Sequence, residues 1–494
     1  MANHVQVETG RRSTWRWVIA VLVVAQTLVW VNNAILNVAL KTLADPVAGL
    51  GATPGELEWA LSSYTLVFAA ATFSGGALGD RYGPRRILRI GLSVFVVASL
   101  LAAFSTTATM LVVARAILGF GAALLTPATL SLVVRSSPAA DRPRGIAIWA
   151  SATGVAVAVG PIAGGALLEM YGWSAVFLLN VPIALLCLGG IAAVVPEFRE
   201  GATRRLDLAG LALSFTGLFL VVYGVIRGGE WWWPVLAGVG VLAAFAIGQL
   251  RSAEPSFDVR LFRRREFAGG SLSLVLTFSA LAGQLFYVVF YLQSLRELTP
   301  LQAGLAITPA SVGIIIGSQL TPALVRRWGT RRVVAAGMLV AGGTYAGYVF
   351  FGTDTPLIWF EVLLLVQGLG MGWVTSPTTS AMLDALPKER SGAGSAINTV
   401  LRPVGMTLGV AVFGSILTAS YRTEIEPTLT HLSVARQAAV RVSAEAARVA
   451  APDLATEINE AFLRAMHSTA LWAFALSLCG VALVVACLRD RATS

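Results

Sequence analysis

Charged side chains are scarce in this sequence. Asp, Glu, Lys and Arg make up 13% of its 494 residues, whereas hydrophobic residues make up 56%. A soluble protein of this length needs more charge on its surface, so a soluble globular fold is excluded. Apolar stretches near the ~20 residues that cross a bilayer recur along the chain. The composition therefore predicts an all-helical integral membrane protein.

Cysteine and histidine are equally rare. The three cysteines all lie in apolar segments, which excludes a disulfide framework and favours buried, small apolar roles: Cys187, Cys479 and Cys487. The three histidines lie outside these segments or at an edge, so a histidine-based site within the membrane is not expected. We therefore expect no cofactor, no metal and no enzymatic activity.

Fourteen apolar segments are present. Their centres lie near residues 28, 68, 95, 121, 156, 184, 217, 241, 280, 314, 343, 368, 405 and 478. Arginines cluster in alternate connections, and the positive-inside rule then places both termini in the cytoplasm. Because nearly all the basic residues behind the net charge of +10 fall in these connections, nucleic acid is not expected as a partner.

The segments divide the chain into three parts. Residues 1–195 hold six segments, 196–255 hold an inserted pair, and 256–494 hold the last six. The long outer connection, residues 421–467, is alanine-rich with balanced charge. It predicts one or two amphipathic helices on the outer face, acting either as a lid or as a passive extension.

No carboxylate falls at the middle of a segment. Three glutamates are nearer the outer ends and three aspartates are at the inner ends: Glu58, Glu169, Glu361, Asp80, Asp207 and Asp384. Paired carboxylates for catalysis at membrane depth are thereby excluded. The same distribution also excludes a buried anion within these segments that would pair with a dicationic ligand.

A short charged turn joins the second and third segments, and a weaker copy (residues 326–332) occupies the same context in the second half. Two related turns indicate two homologous halves with the same orientation. The first turn is either a latch, whose charge pairs form in one conformation only, or a solvated loop that sets topology. Its candidate residues are Gly76, Asp80, Arg81, Gly83, Arg85 and Arg86.

This turn resembles the loop two–three motif of the major facilitator superfamily. Arg115 resembles the span-four arginine of its proton antiporters, and the fifth segment resembles their glycine-rich antiporter motif. Fourteen spans with an extra pair between the halves are similar to the drug:proton antiporter family of that superfamily. The resemblance implies two six-helix bundles plus two inserted helices, and a kinked fifth span carrying Gly154, Gly160, Pro161, Gly164 and Gly165.

Arg115 has two interpretations. A charge at membrane depth costs about 2.5–3.5 kcal/mol on insertion scales, so this side chain must face protein or water. The resemblance implies that it assists proton transfer or holds its helix. The structural alternative is an arginine bonded to the backbone carbonyls of a neighbouring helix.

The first segment departs from the family at one position. The family commonly has Asp before its Asn-Val-Ala-Leu run, proposed to carry protons or to recognise cationic drugs, and here Asn32 replaces it. Asn cannot titrate. Proton coupling then falls to Asp80 or Glu361 with Arg115. Neutral, amphipathic or lipid-like substrates are expected in preference to dications.

A substrate cavity is expected between the two halves near the midplane. Polar groups at that depth and nearby aromatic rings are the candidates for its lining. They are Gln26, Asn32, Asn37, Tyr64, Phe68, Gln284, Phe286, Tyr287, Phe290, Gln367, Asn398 and Arg402.

These features favour a multidrug or metabolite exporter of the inner membrane. It would work by rocking-bundle alternating access, driven by the proton gradient, as a monomer with small hydrophobic substrates, protons and lipids as partners. One alternative is a translocator of lipids or hydrophobic metabolites with weak or no proton coupling. A non-transporting membrane sensor is the other, and the latch and the kinked helix disfavour it.

Overall fold

The computed structural model describes residues 2–45, 47–138, 141–198, 207–227, 232–252, 259–384, 391–442 and 444–488. All regular secondary structure in these residues is helical, which confirms the predicted all-helical class. The helices of the first half are α1 (Ala2–Ala44), α2 (Pro54–Tyr82), α3 (Pro84–Ala103), α4 (Ala108–Ser136), α5 (Arg142–Tyr171), α6 (Trp173–Leu178) and α7 (Asn180–Val194).

The inserted pair and the second half follow the same pattern. The inserted helices are α8 (Leu208–Arg227) and α9 (Trp232–Arg251). The second half comprises α10 (Arg265–Phe290), α11 (Pro300–Trp328), α12 (Thr330–Gly347), α13 (Leu357–Asp384), α14 (Ser391–Ile425), α15 (Val434–Val442), α16 (Ala444–Ala450) and α17 (Ala455–Cys487). A π-helical turn, Tyr291–Leu295, continues α10.

A helix stands at each of the fourteen predicted segments. Within the described residues, 12 helices are long and apolar enough to cross a membrane, counting α6 and α7 as one span. The α2 helix adds a thirteenth as a pair bent by 47°, and α8 contains a shorter apolar helix, Ala209–Val225. The chain is thus a multi-pass membrane protein, and fourteen crossings stay a prediction.

Corresponding helices of the two halves begin in the same way. At the start of α2, the Thr53 hydroxyl accepts from the Glu56 amide while the Glu56 carboxylate accepts from the Thr53 amide. Thr299 and Gln302 repeat this capping box at the start of α11. Each box satisfies two backbone donors that a helix start leaves unpaired.

The two charged turns also share their backbone geometry. Gly83 ends α2 with φ +91, and Gly329 ends α11 with φ +83. Residues with a Cβ rarely adopt such values, so glycine is required at both turns. The second turn is therefore a structural copy of the first, as two homologous halves predict.

Helix contacts define two bundles and the seams between them. In the first half α2 and α3 pack on α4, and α1 packs on α5. In the second half α11 and α12 pack on α13, and α10 packs on α14 and α17. The halves meet mainly where α5 touches α11 and where α2 touches α14, with α8 lying against both α2 and α14.

The outer segment 421–467 packs on the second half. It contains the end of α14, the short helices α15 and α16, and the start of α17. Ile425, Val440 and Phe462 belong to the same buried cluster as Tyr287 of α10 and Tyr291 of the π-helical turn. The two short helices α15 and α16 agree with the one or two helices predicted here. The role of the segment, a lid or a passive extension, stays a prediction.

Candidate functional site

Arg115 joins three helices in the first bundle. It is fully buried on α4, and its Nε donates to the carbonyl of Ala60 on α2 at 3.1 Å. Its Nη1 donates to Asn32 of α1, both to Oδ1 at 2.5 Å and to the backbone carbonyl at 3.2 Å. The guanidinium lies 4.5 Å from the centre of the Tyr64 ring. These contacts agree with the interpretation of Arg115 as a structural arginine bonded to the backbone carbonyls of neighbouring helices. Its role in proton transfer stays a prediction.

Aromatic rings extend this cluster. The Tyr64 hydroxyl donates to the carbonyl of Val29 at 2.8 Å, which fixes the ring beneath Arg115. The Phe68 ring is 5.9 Å from the Tyr64 ring and meets Trp30 edge-on at 6.1 Å. Two of the predicted cavity residues, Asn32 and Tyr64, therefore contact Arg115, and a third, Phe68, packs on Tyr64.

Gln26 belongs to a second polar group of the first bundle. The Thr129 hydroxyl of α4 donates to Gln26 Oε1 at 3.1 Å, and the Trp149 indole of α5 donates to Thr129 at 3.1 Å. Sequence reasoning identified Gln26 alone. Its two partners could have been found from the sequence, because Thr129 and Trp149 are polar side chains within apolar segments.

The second bundle holds a neutral polar network. Gln284 donates to the Tyr348 hydroxyl at 2.6 Å, and Gln367 donates to Gln284. Tyr287 meets the Tyr348 ring edge-on at 5.9 Å, and its buried hydroxyl has no hydrogen-bond partner among the described residues. The prediction missed Tyr348, because it lies at the outer end of its segment.

The other predicted cavity residues with described side chains lie in the second bundle, two of them at the seam with the first. Phe286 and Phe290 of α10 are half-buried, with ring centres 5.5 Å apart, and pack against the core of the first bundle. Arg402 of α14 is half-buried, 5.5 Å from the Phe278 ring centre, with Nη2 3.5 Å from the Thr379 hydroxyl. The side chains of Asn37 and Asn398 lie outside the described residues.

The glycine-rich motif of α5 lies close to two neighbouring helices, α1 and α11. A Cβ at Gly164 would lie 2.4 Å from Ile35 of α1, and one at Gly165 would lie 2.6 Å from the backbone of Leu301 on α11. Gly154, at the other end of the motif, would leave 3.8 Å to the nearest α11 atom. Gly160 and Pro161 lie between them, and a Cβ at Gly304 of α11 would lie 2.6 Å from the Pro161 carbonyl, so α5 approaches α11 closely from Pro161 to Gly165.

The turn between α2 and α3 is tied to its own bundle. Asp80 lies 4.0 Å from Arg135 of α4, a partner that the prediction did not name. Arg85 donates to the carbonyls of Ile191 and Ala192 at the end of α7 and pairs with Glu197 at 3.6 Å. The remaining residues of the turn are half-buried or exposed on its surface: Gly76, Arg81 and Arg86.

The three proton-coupling candidates do not form one site. Arg115 bonds to Ala60, which is about 30 Å along α2 from Asp80. Asp80 is exposed at the opposite end of that helix. Glu361 is half-buried near the start of α13, in the other bundle. A relay between them would need groups that sequence reasoning did not identify.

Solved structures support the fold. A crystal structure of a peptide transporter in complex with alafosfalin matches with a TM-score of 0.65 at 14% identity, covering 96% of both chains. A transporter of the same peptide-transporting group, with a bound thioalcohol-conjugated peptide, also gives 0.65 at 14% identity. At this identity the likeness shows the fold alone.

Curated relatives are considerably closer. The chain is 34% identical over 430 residues to the multidrug efflux pump LfrA of Mycolicibacterium smegmatis, covering 85% of this chain and 84% of that protein. Identity is 33% over 422 residues to the methyl viologen resistance protein SmvA of Salmonella typhimurium, covering 83% and 84%. It is 30% over 409 residues to the tetracenomycin C resistance and export protein of Streptomyces glaucescens, covering 79% and 75%.

The family of this chain is shown by a profile match over most of its length. The sequence profile described as Major Facilitator Superfamily matches residues 22–410. This range covers the first bundle from residue 22, the inserted pair, the Arg115 cluster and the second bundle as far as residue 410 in α14. Two bundles built to one pattern, with membrane-length helices throughout, agree with that match. This chain belongs to the Major Facilitator Superfamily.

Proposed function

We propose that this protein exports hydrophobic or amphipathic small molecules, drugs or metabolites, across the cell's inner membrane. Both termini lie in the cytoplasm, and the proton gradient drives export by antiport. The observation that carries the proposal is the similarity to a multidrug efflux pump over 85% of the chain.

The contacts at the seams support alternating access. With the proposed orientation, Gly165 and Leu301 lie toward the outer ends of α5 and α11. The Leu301 amide donates to Glu169 at 3.4 Å, and Gln293 donates to the carbonyl of Val38 at 3.4 Å. These contacts join the bundles on the outer side. Opening that side requires the bundles to separate there, which is what a rocking motion does.

A second candidate is a translocator of lipids or hydrophobic metabolites without proton coupling. The observation that favours it is the identity of residue 32. Asn32 has no titratable proton, and the buried side chains that the structure describes include no carboxylate. A carrier of this kind would move its substrate down the substrate's own gradient.

Transport by the purified protein in liposomes distinguishes the two candidates. A pH gradient is imposed across the membrane, and the initial rate of ethidium movement is measured by fluorescence. Proton-coupled export predicts uptake against the ethidium gradient, and a protonophore should abolish it. Liposomes without protein provide the baseline.

Each outcome separates the candidates. Movement of a fluorescent lipid at the same rate with and without the gradient would replace antiport with uncoupled translocation. Failure to move ethidium, other apolar dyes and the fluorescent lipid under either condition would contradict transport altogether.

A further inference from the structure

The outer connector (residues 291–301) joins α10 to α11 at the seam between the bundles. It begins with the π-helical turn Tyr291–Leu295, after which the Arg296 amide donates to the Tyr291 carbonyl at 3.0 Å. It continues through the Thr299 cap into the first turn of α11. π-Helical turns are rare, and they occur frequently at functional sites.

The connector also holds a strained residue. Glu297 has φ +53, the one positive φ outside glycine among the residues that the structure describes. This left-handed conformation is unfavourable for a residue with a Cβ, so it persists only where the surrounding contacts fix the backbone. Strained residues of this kind concentrate in ligand clamps and switch regions. Glu297 therefore marks the connector as a segment held under strain.

Contacts with its own bundle hold one side of the connector. The Tyr291 hydroxyl donates to the Gly352 carbonyl at 3.1 Å, and Arg296 Nη1 donates to the Thr355 carbonyl at 2.9 Å. Both acceptors lie between α12 and α13. A movement of one bundle against the other leaves these bonds intact, because they lie within the second bundle.

Contacts with the first bundle hold the other side. Gln293 is 2% exposed, and its Nε2 donates to the Val38 carbonyl of α1 at 3.4 Å. At the end of the connector, the Leu301 amide donates to Glu169 of α5 at 3.4 Å. The start of α11 carries the positive end of the helix dipole, which favours a carboxylate there. Separation of the bundles on the outer side breaks both hydrogen bonds.

We propose that the outer connector is a strained switch that keeps the two transport conformations close in free energy. The bonds of Gln293 and Leu301 to the first bundle hold the outer side closed, and the strain at Glu297 opposes them. When the bundles separate, both bonds break and Glu297 leaves the left-handed region. The switch rests on the alternating access proposed above and names the residues that set its balance.

Two substitutions should shift this balance in opposite directions. Glu297→Gly removes the strain, because glycine adopts a positive φ freely, and should favour the closed outer side about fivefold. Glu169→Ala removes the acceptor of the Leu301 amide and should favour the open side about threefold. The measurement, in liposomes, is the ratio of short to long distances between spin labels at Gly55→Cys and Trp359→Cys. Both label sites are exposed, near the starts of α2 and α13.

Matched substitutions separate these effects from the loss of a carboxylate. Glu297→Ala removes the same charge but keeps a Cβ in the left-handed conformation. Glu460→Ala removes an exposed carboxylate of the outer segment, 3.4 Å from Arg464 of the same helix. Both should leave the ratio of distances unchanged. The labels are introduced into a protein whose three native cysteines are replaced by alanine.

The ratio of distances tests the switch separately from export. Opposite shifts in Glu297→Gly and Glu169→Ala, with both controls at the wild-type ratio, support it. Equal ratios in Glu297→Gly and Glu297→Ala would overturn it, because the strain would then be the same in both conformations. A single distance in the wild type, with and without a pH gradient, would overturn it even if ethidium is exported. Loss of all dye and lipid movement by the wild type would instead contradict the export function.

Discussion

The two bundles share a backbone framework but not a core chemistry. A Cβ at Gly119 of α4 would lie 2.3 Å from the carbonyl of Tyr64 on α2. In the second bundle a Cβ at Gly368 of α13 would lie 2.0 Å from the carbonyl of Ala310 on α11. Glycine thus allows the same pair of helices to touch in both halves.

The difference lies one turn before these glycines. The first bundle has Arg115 there, fully buried, and the second bundle has Leu364, also buried. Near this level the second bundle keeps a neutral network around Gln284 and Gln367. The close helix contacts are therefore common to both halves, whereas among the side chains that the structure describes a fully buried charge occurs in the first bundle only. A feature present in one copy only is better explained by function than by folding.

The shared framework gives the largest expected effect. Gly119→Ala and Gly368→Ala each push a Cβ against a backbone atom, which cannot rotate away. Each should destabilise the purified protein by about 2–3 kcal/mol, the upper range for overpacked cores. Thermal unfolding in detergent measures both.

The controls for this pair are glycines with free space. No atom lies within 4 Å of a Cβ built at Gly189 of α7 or at Gly343 of α12. Alanine at either position should leave the stability unchanged or slightly raised. Equal losses at Gly119 and Gly368 would support the common framework. A loss at one glycine only would break the comparison.

The two turns give an intermediate effect. Gly83→Ala and Gly329→Ala force a Cβ into a left-handed backbone conformation, which costs about 1–2 kcal/mol. Gly83 should be the more sensitive, because its Cβ would also lie 3.3 Å from Glu197 Oε1. Unfolding midpoints of the two variants, measured side by side, check the order. A larger loss at Gly329 would show that the turns are supported differently.

Sequence reasoning predicted the fold well because its signals are local. Apolar length defines each helix and arginine alternation predicts the orientation, and neither depends on distant contacts. The second charged turn, at Gly329, indicated two repeated halves, and its φ is close to that of Gly83.

The candidate site was predicted less completely, because its partners are distant in sequence. Asn32 and Arg115 were both singled out, but nothing local indicated that they bond to each other. The pairing of Asp80 with Arg135, and of Thr129 with Gln26, depends on how α1, α2 and α4 pack. Side-chain partners across helices need the tertiary structure, whereas helix lengths do not.

The smallest effect on stability is expected at Asp80 in the first charged turn. The pair with Arg135 is 4.0 Å long, and the Asp80 side chain is 79% exposed. Such pairs contribute about 0–1 kcal/mol, so Asp80→Asn should change the stability by less than about 0.5 kcal/mol. Arg85→Gln should cost more, because Arg85 also caps the carbonyl end of α7.

If Asp80 is a latch, its variant alters export at unchanged stability, since it shifts the balance between conformations. Unchanged export in Asp80→Asn, with the unfolding midpoint also unchanged, would leave the turn as a topology signal common to both halves.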